Sequence, residues 1–126
     1  MEELDTQMGA ARKGTITPQM EVVAKKERRT AEEIRAWVAE GKVIIPANHA
    51  HARLDPNGVG SMLRTKINVN LGVSRDVKDY DIEMEKVKSA VKLGAQAIMD
   101  LSCHGDTQPF RRKLCRECPT MVGTVP

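Results

Sequence analysis

Apolar and polar residues alternate from residue 66 to residue 72, in the order Lys-Ile-Asn-Val-Asn-Leu-Gly. This alternation predicts a β-strand that directs its apolar side chains to one face and Asn68 and Asn70 to the other. Asn is a poor strand former with an amide that needs partners when buried, so the pair is typical either of an edge strand facing water or of a polar site. The apolar side is expected to pack beneath helices and consists of Ile67, Val69 and Leu71.

Two helical segments are predicted at the start of the chain. Residues 6–13 are expected to form a short helix. Thr17 and Pro18 then have the residue types of an N-cap and of a first helical position, where the missing N–H of proline is harmless. The second helix is expected to end near Arg28.

A third helix is predicted from Thr30, which with Glu33 forms a capping-box pattern. Apolar residues follow at helical spacing: Ile34, Trp37 and Val38. Gly41 stands where a left-handed C-cap belongs. A brief apolar strand at residues 42–45 and a loop reaching to about residue 61 complete this part.

The pattern becomes regular after the central strand. Asp79 or Asp81 can cap a helix that closes at Gly94, with a single apolar face formed by Met84, Val87, Ala90 and Val91. Its charged residues are interpreted as an ordinary charged helix face: Glu83, Glu85, Lys86 and Lys88. A strand at residues 95–101, a helix at 109–118 and the opening of a strand at 121–125 follow. Strands and helices that alternate with short links are typical of parallel β/α units.

These elements predict an α/β fold in two parts. Residues 1–62 form a segment of helices and loops, and residues 63–126 form two β/α units and a third strand. Two units and one strand make neither a closed barrel nor a well-covered open sheet, so the chain is expected to be the front piece of a larger β/α protein. Chemistry in such folds gathers at the C-terminal ends of the strands.

Composition excludes several functional classes. The chain has 126 residues and a formal net charge of +3. Its aromatic residues are Trp37, Tyr80 and Phe110. With so few rings to stack on bases, the basic runs at 25–29 and 111–113 are interpreted as solvated helix faces, and nucleic-acid binding is not expected. No stretch has the length of a membrane span, and residues 1–5 are acidic where a signal peptide is basic, so a cytoplasmic protein is expected.

Cysteine and histidine spacing leaves a metal site open. Cys115 and Cys118 have the spacing of a metal knuckle, and Cys103 and His104 lie nearby in the sequence, so a four-ligand zinc site can be drawn. Their predicted positions on a helix and at a strand end favour three ordinary thiols instead. The pair His49 and His51 is open to the same two interpretations, a metal ligand set or contacts to backbone groups or a partner subunit.

Several blocks of the sequence are distinctive. They are residues 6–8 (Thr-Gln-Met), 14–18 (Gly-Thr-Ile-Thr-Pro), 45–48 (Ile-Pro-Ala-Asn), 63–72 (Leu-Arg-Thr-Lys-Ile-Asn-Val-Asn-Leu-Gly), 99–102 (Met-Asp-Leu-Ser) and 122–126 (Val-Gly-Thr-Val-Pro). Together, in this order, they resemble the N-terminal portion of the thiamin pyrimidine synthase family of radical S-adenosylmethionine enzymes. The resemblance implies a (β/α)8 TIM-type barrel, of which this chain holds only the first units.

The resembled family has two branches, both acting on 5-aminoimidazole ribotide. One is phosphomethylpyrimidine synthase of thiamin biosynthesis, and the other is 5-hydroxybenzimidazole synthase, which makes the lower ligand of anaerobic cobamides. The chain departs from the usual thiamin-branch pattern at residues 49–51 (His-Ala-His), 68–72 (Asn-Val-Asn-Leu-Gly) and 102–106 (Ser-Cys-His-Gly-Asp). These departures favour the 5-hydroxybenzimidazole branch, with the thiamin branch as the alternative.

The resemblance also implies two substrate-binding residues. The second Asn of the strand motif and the Met of the Met-Asp-Leu-Ser motif contact aminoimidazole ribotide in the family, and they correspond to Asn70 and Met99. Met99 is then expected to face inward together with Ala97 and Leu101, whereas the pattern alone left Ile98, Asp100 and Ser102 as an equal alternative. No catalytic and no metal-binding residue is assigned.

The cofactors and partners are likewise those that the resemblance implies. They are a [4Fe-4S] cluster, S-adenosylmethionine and an additional divalent metal, all bound beyond this chain, with a homodimer and a flavodoxin or ferredoxin as reductant. The 126 residues alone are therefore expected to be inactive. A non-catalytic assembly or dimerisation module, using the helices before Gly41, and a small zinc protein are the alternatives from other classes.

Overall fold

A computed structural model describes residues 6–125, which divide into two compact units. The first unit comprises the residues up to Ala47 together with Pro56–Thr65, and the second comprises Asn48–Asp55 and the residues from Lys66 onward. The helices are α1 (Gln7–Arg12), α2 (Pro18–Glu27), α3 (Ala31–Ala39), α4 (Tyr80–Lys92) and α5 (Gln108–Glu117). The strands are β1 (Val43–Ile44), β2 (Val59–Gly60), β3 (Asn68–Leu71), β4 (Ala97–Asp100) and β5 (Met121–Thr124).

Side-chain caps fix where the helices of the first unit begin. The hydroxyls of Thr6 and Thr17 accept hydrogen bonds from backbone N–H groups in the first turns of α1 and α2. Thr30 and Glu33 form the predicted capping box, in which the backbone N–H of Thr30 donates to Glu33 at 2.8 Å. This bond and a second one from the Thr30 hydroxyl hold the pKa of Glu33 below its usual range. The three predicted helix starts are confirmed.

The core of the first unit is aliphatic and lies among α1, α2, α3 and β1. Its buried members are Ala11, Met20, Val23, Ala24, Ile34, Val38, Val43 and Ile45. The predicted loop up to residue 61 is wrong in one respect, because β2 lies within it and pairs antiparallel with β1. A strand of two residues is too short for an alternating pattern to be recognised in the sequence.

The second unit is a parallel three-stranded sheet in the order β3-β4-β5. Helix α4 connects β3 to β4, and α5 connects β4 to β5. Asp79 caps α4 by accepting hydrogen bonds from the N–H groups of Asp81 and Ile82, which decides between the two predicted caps. The helices and one face of the sheet enclose a core of Leu71, Met84, Val87, Ala90, Ala95, Ile98, Phe110, Leu114 and Cys118. The predicted β/α units are confirmed.

One of the two apolar residues at the strand ends differs from expectation. Ile67 was expected beneath the helices with Val69 and Leu71, but its side chain is 59% exposed. It precedes the first paired residue, Asn68, and so lies outside the part of the sheet that the helices cover. Leu101, which was expected to face inward with Met99, follows the end of β4 and is 42% exposed, so its facing inward stays a prediction.

Glu83 on α4 was expected to be part of an ordinary charged helix face, and this is wrong. Its side chain is 1% exposed. One carboxylate oxygen accepts the backbone N–H of Gly72 at 2.7 Å, and the other accepts Lys86 Nζ at 2.6 Å. Glu83 therefore ties the segment that follows β3 to helix α4. Glu85, two residues further along, forms the expected exposed pair with Lys88.

Gly72 allows the segment after β3 to approach the end of β4. Its φ is +144°, a conformation that side chains rarely adopt. A Cβ on this residue would lie 2.5 Å from the backbone nitrogen of Ser102 and 2.7 Å from the carbonyl carbon of Leu101. Only glycine fits this close approach of two backbones.

Larger-scale features of the fold are only partly described by these residues. Within residues 6–125 no helix is long and apolar enough to cross a membrane. The parallel sheet has the strand and helix order that opens a barrel, but a closed eight-stranded barrel stays a prediction for a longer chain. The division into domains at residue 62 also stays a prediction, because compactness does not show which part folds by itself.

Glu83→Gln is expected to destabilise the protein far more than Glu85→Gln. The side chain of Gln has only one acceptor oxygen, so its buried NH2 group would replace the second acceptor and face a donor, at a cost of about 1–3 kcal/mol. Glu85→Gln removes only an exposed ion pair and should change the free energy of unfolding by less than about 0.5 kcal/mol. Urea denaturation followed by circular dichroism measures both. Equal costs would contradict the assigned role of Glu83.

Gly72→Ala is expected to be strongly destabilising because it adds both backbone strain and overlap with Ser102 and Leu101. The loss should exceed about 3 kcal/mol. Gly94→Ala is the matched control, since Gly94 has a φ of +90° but nothing within 4 Å of its ideal Cβ. Gly94→Ala introduces backbone strain without overlap and should lower the free energy of unfolding by about 1 kcal/mol. Similar thermal midpoints for the two variants would rule out the proposed close approach.

Candidate functional site

The register of the parallel sheet brings the two expected substrate-binding residues together. Asn70 on β3 is the register partner of Met99 on β4, and Met99 is the partner of Gly123 on β5. Register partners on neighbouring strands direct their side chains to the same face. Because Leu71 and Ile98 pack against the helices on the other face, this row lies on the face that α4 and α5 leave free. We call it the amide face.

The amide face carries two Asn side chains that contact each other. Nδ2 of Asn68 donates a hydrogen bond to Oδ1 of Asn70 at 2.8 Å. Both residues are exposed. The bond occupies one acceptor position of Asn70 and leaves its NH2 group, with two donors, to meet a ligand. Asn68 therefore orients the Asn70 amide.

Met99 lies flat across the neighbouring strand. An ideal Cβ built on Gly123 would lie 3.0 Å from both Sδ and Cε of Met99. The thioether therefore occupies the space that a side chain on β5 would otherwise take. A soft, polarizable surface results beside the amide of Asn70, and such a surface suits contact with a flat ring. Ala97, one row earlier on β4, shares this face and adds little bulk.

Behind the amide face, a buried ionic network holds the ends of β3 and β4. The Asp100 side chain is fully buried, and its Oδ2 accepts the Nε of Arg111 at 2.8 Å. Its Oδ1 accepts from both the hydroxyl and the backbone N–H of Ser102, at 2.5 Å and 3.0 Å. The Ser102 hydroxyl in turn accepts the N–H of Val73 at 3.1 Å. One carboxylate thus joins both strand ends to α5.

This network decides a question that the residue pattern left open. Asp100 and Ser102 were one of two sets that could have faced the site, and they lie on the helix side instead. Arg111 was interpreted as part of a solvated basic run, which is wrong for this residue because it pairs with the buried Asp100. The sequence contained one indication of this ion pair. An acidic residue occupies a core-facing strand position, and a basic residue follows it one turn into the next helix.

The loop after β4 is held from helix α4. The hydroxyl of Tyr80 donates to the carbonyl oxygen of Asp106 at 3.2 Å and lies 3.5 Å from that of His104. The Tyr80 ring packs on Phe110 with centroids 4.9 Å apart. Tyr80 therefore holds this loop through backbone carbonyls, which every residue type supplies.

The cysteines and histidines do not assemble a metal site in the part of the chain that the structure describes. No group of three or more His, Cys, Asp or Glu side chains within residues 6–125 could hold an ion. Cys118 is packed in the core, and burial together with the neighbouring Cys118 thiol raises the pKa of Cys115, which disfavours its thiolate. His51 is buried and its Nε2 lies 2.6 Å from the carbonyl oxygen of Cys118. The zinc interpretation is thus not supported, whereas the backbone contact expected for His51 is found.

Comparison with known proteins supports the resemblance that the sequence motifs indicated. Residues 6–126 match the Radical SAM ThiC family. The chain is 59% identical over 121 residues to a phosphomethylpyrimidine synthase of Pelotomaculum thermopropionicum, and 54% identical over the same length to phosphomethylpyrimidine synthases of Clostridium botulinum and Clostridium kluyveri. Each alignment covers 96% of this chain and 28% of the relative. The chain thus spans little more than a quarter of the length of these relatives, and it belongs to the Radical SAM ThiC family.

Proposed function

We propose that the full-length protein is a phosphomethylpyrimidine synthase that rearranges 5-aminoimidazole ribotide into the pyrimidine of thiamin. The names of relatives at 54–59% identity support this branch. They do not support the 5-hydroxybenzimidazole branch that the departures at residues 49–51, 68–72 and 102–106 favoured. Those departures occur in a chain whose matched relatives are named for the thiamin pyrimidine, so they are a poor guide to the branch.

The observation that carries the proposal is the pairing of Asn70 with Met99 on the amide face. These are the two residues to which the family resemblance gives substrate contact, and they are register partners on adjacent strands. Asn70 offers hydrogen-bond donors to a ring nitrogen, a hydroxyl or a phosphate oxygen, and Met99 offers a wall for the ring. Neither side chain titrates near neutral pH. Their proposed role is therefore to bind and orient the substrate, not to transfer protons.

The cofactors of the family are proposed for the longer protein and not for these residues. Its Cys-x-x-Cys-x-x-x-x-Cys cluster motif does not occur in the 126 residues, whose cysteines are Cys103, Cys115 and Cys118. The donor set described above for residues 6–125 does not fit a cluster or a metal ion either. A [4Fe-4S] cluster with S-adenosylmethionine supplies radical chemistry when bound, and we attribute only substrate orientation to this chain. Residues 1–126 alone are expected to be inactive.

A homodimer, a flavodoxin or ferredoxin as reductant, and a cytoplasmic location are further parts of this proposal. All of them derive from the family resemblance or from sequence composition. Light scattering on the purified full-length protein tests the first of these parts, and reduction by a purified flavodoxin tests the second.

Product analysis tests the proposed reaction. The full-length protein, reconstituted anaerobically with its cluster, is given aminoimidazole ribotide, S-adenosylmethionine and a reductant. We expect hydroxymethylpyrimidine phosphate and 5′-deoxyadenosine, and neither in controls that lack the reductant or the ribotide. Formation of 5-hydroxybenzimidazole would overturn the assigned branch. Absence of 5′-deoxyadenosine from a protein with an intact cluster would overturn the enzymatic proposal itself.

Asn70→Ala is expected to raise the KM for aminoimidazole ribotide by about tenfold or more, because a ligand acceptor loses its donor. Asn68→Ala removes only the bond that orients Asn70 and should raise KM by a smaller factor, about two- to fivefold. Glu85→Gln, on the exposed side of α4, is the control and should leave KM unchanged. Steady-state product formation measures all three. A larger effect at Asn68 than at Asn70 would reverse the roles assigned to these side chains.

A further inference from the structure

We propose that Gly123 is a positioning residue of the substrate site, because its lack of a side chain lets Met99 lie flat across β5 and keeps the space in front of Asn70 open. The inference rests on the proposed function for the identity of the ligand. It rests on the structure alone for the contact between Gly123 and Met99.

The backbone does not explain a glycine at this position. Gly123 lies inside β5, and it is not among the glycines with positive φ, so an alanine fits its conformation. Glycine inside a strand weakens the strand, because it offers no side chain to pack and loses more conformational freedom on folding. Such a residue marks a site that another group approaches closely.

Met99 is the group that approaches. The heavy atoms nearest to the ideal Cβ of Gly123 are Sδ and Cε of Met99, and both distances are 3.0 Å. Few side-chain Cβ atoms tolerate a contact this short, so an alanine here would displace the end of Met99 by a few tenths of an ångström. Asn70 is the other register partner of Met99, so a thioether displaced from β5 is expected to move towards the space beside Asn70.

The row formed by Asn70, Met99 and Gly123 therefore fits a flat heterocycle that carries hydrogen-bond acceptors. The amide of Asn70 donates to an acceptor of such a ligand, and the flattened thioether of Met99 contacts its ring. Gly123 sets the height of that thioether above the sheet. A larger residue at this position would narrow the gap between Met99 and the ligand, so it would reduce binding without touching the ligand itself.

A double-mutant cycle in the full-length enzyme tests this inference. The four proteins are the parent, Gly123→Ala, Met99→Ala and the double variant, and the measured quantities are KM and kcat for aminoimidazole ribotide. We expect Gly123→Ala to raise KM by about three- to tenfold, with kcat changed less than about twofold. In the Met99→Ala background the same substitution should change KM by less than about twofold, since no thioether remains to be displaced.

Equal effects of Gly123→Ala in the two backgrounds would overturn the proposal, as would an unchanged KM in the parent background. If Gly123→Ala alone fails to fold, the double variant decides: a folded double variant supports overpacking against Met99, and an unfolded one contradicts it.

A spectroscopic measurement separates this proposal from the proposed function. In protein labelled with 13C at the methionine methyl groups, the Met99 resonance is assigned by its loss in Met99→Ala. Gly123→Ala should shift that resonance. If the parent does not turn over the ribotide and the resonance still shifts, the proposed function fails and the contact stands. If the parent is active and neither KM nor the resonance changes, the role of Gly123 is excluded.

Discussion

The register of the three parallel strands is the constraint on which the candidate site depends. Because side chains alternate with a period of two, a slip of one residue in β4 would exchange Met99 for Asp100 on the amide face. A carboxylate would then lie on the amide face, and the thioether would face the helices. The observed register of Asn70 with Met99 and of Met99 with Gly123 thus brings together the three residues of the proposed site, which are distant in sequence.

Polar contacts on the helix side favour this register more specifically than apolar packing does. Ile98 and Leu71 would pack against helices in several alignments, since burial of apolar surface has no directional preference. The carboxylate of Asp100 is different, because it meets Arg111, and the Ser102 hydroxyl bonded to it meets the backbone N–H of Val73, only when β4 has the correct register. Burial of this charge is expensive unless all its partners are present, and among residues 6–125 every buried side-chain N or O atom has a hydrogen-bond partner. A strand with a shifted register would lose these bonds.

Local sequence patterns predicted the helices and strands, but they did not predict contacts between residues that are distant in the sequence. Helix caps such as Thr30 with Glu33 and the alternation in β3 are decided by neighbours within a few residues, so the sequence reveals them. Glu83 looked like a surface charge, because nothing nearby in the sequence shows that the segment after β3 needs its carboxylate. Arg111 looked like one because it lies in a basic run, and the acidic residue at position 100 was the one sign of its partner. Of the candidate site, Asn70 and Met99 came from family resemblance. The sequence did not indicate a role for Gly123, because the proposed contribution of this residue is the absence of a side chain.

The sequence of the loop after β4 was a poor guide to function for a related physical reason. Its sequence departs from the thiamin-branch pattern and favoured a branch that the names of the relatives do not support, yet the loop is held by Tyr80 through the carbonyl oxygens of His104 and Asp106. Every residue type supplies a backbone carbonyl, so substitutions there leave the hydrogen bonds in place. Cys103 and His104 are themselves exposed. The Cys103 thiol makes only a long contact, 3.8 Å from the carbonyl oxygen of Val73, so we expect substitutions at residues 103 and 104 to leave Asn70 and Met99 in place.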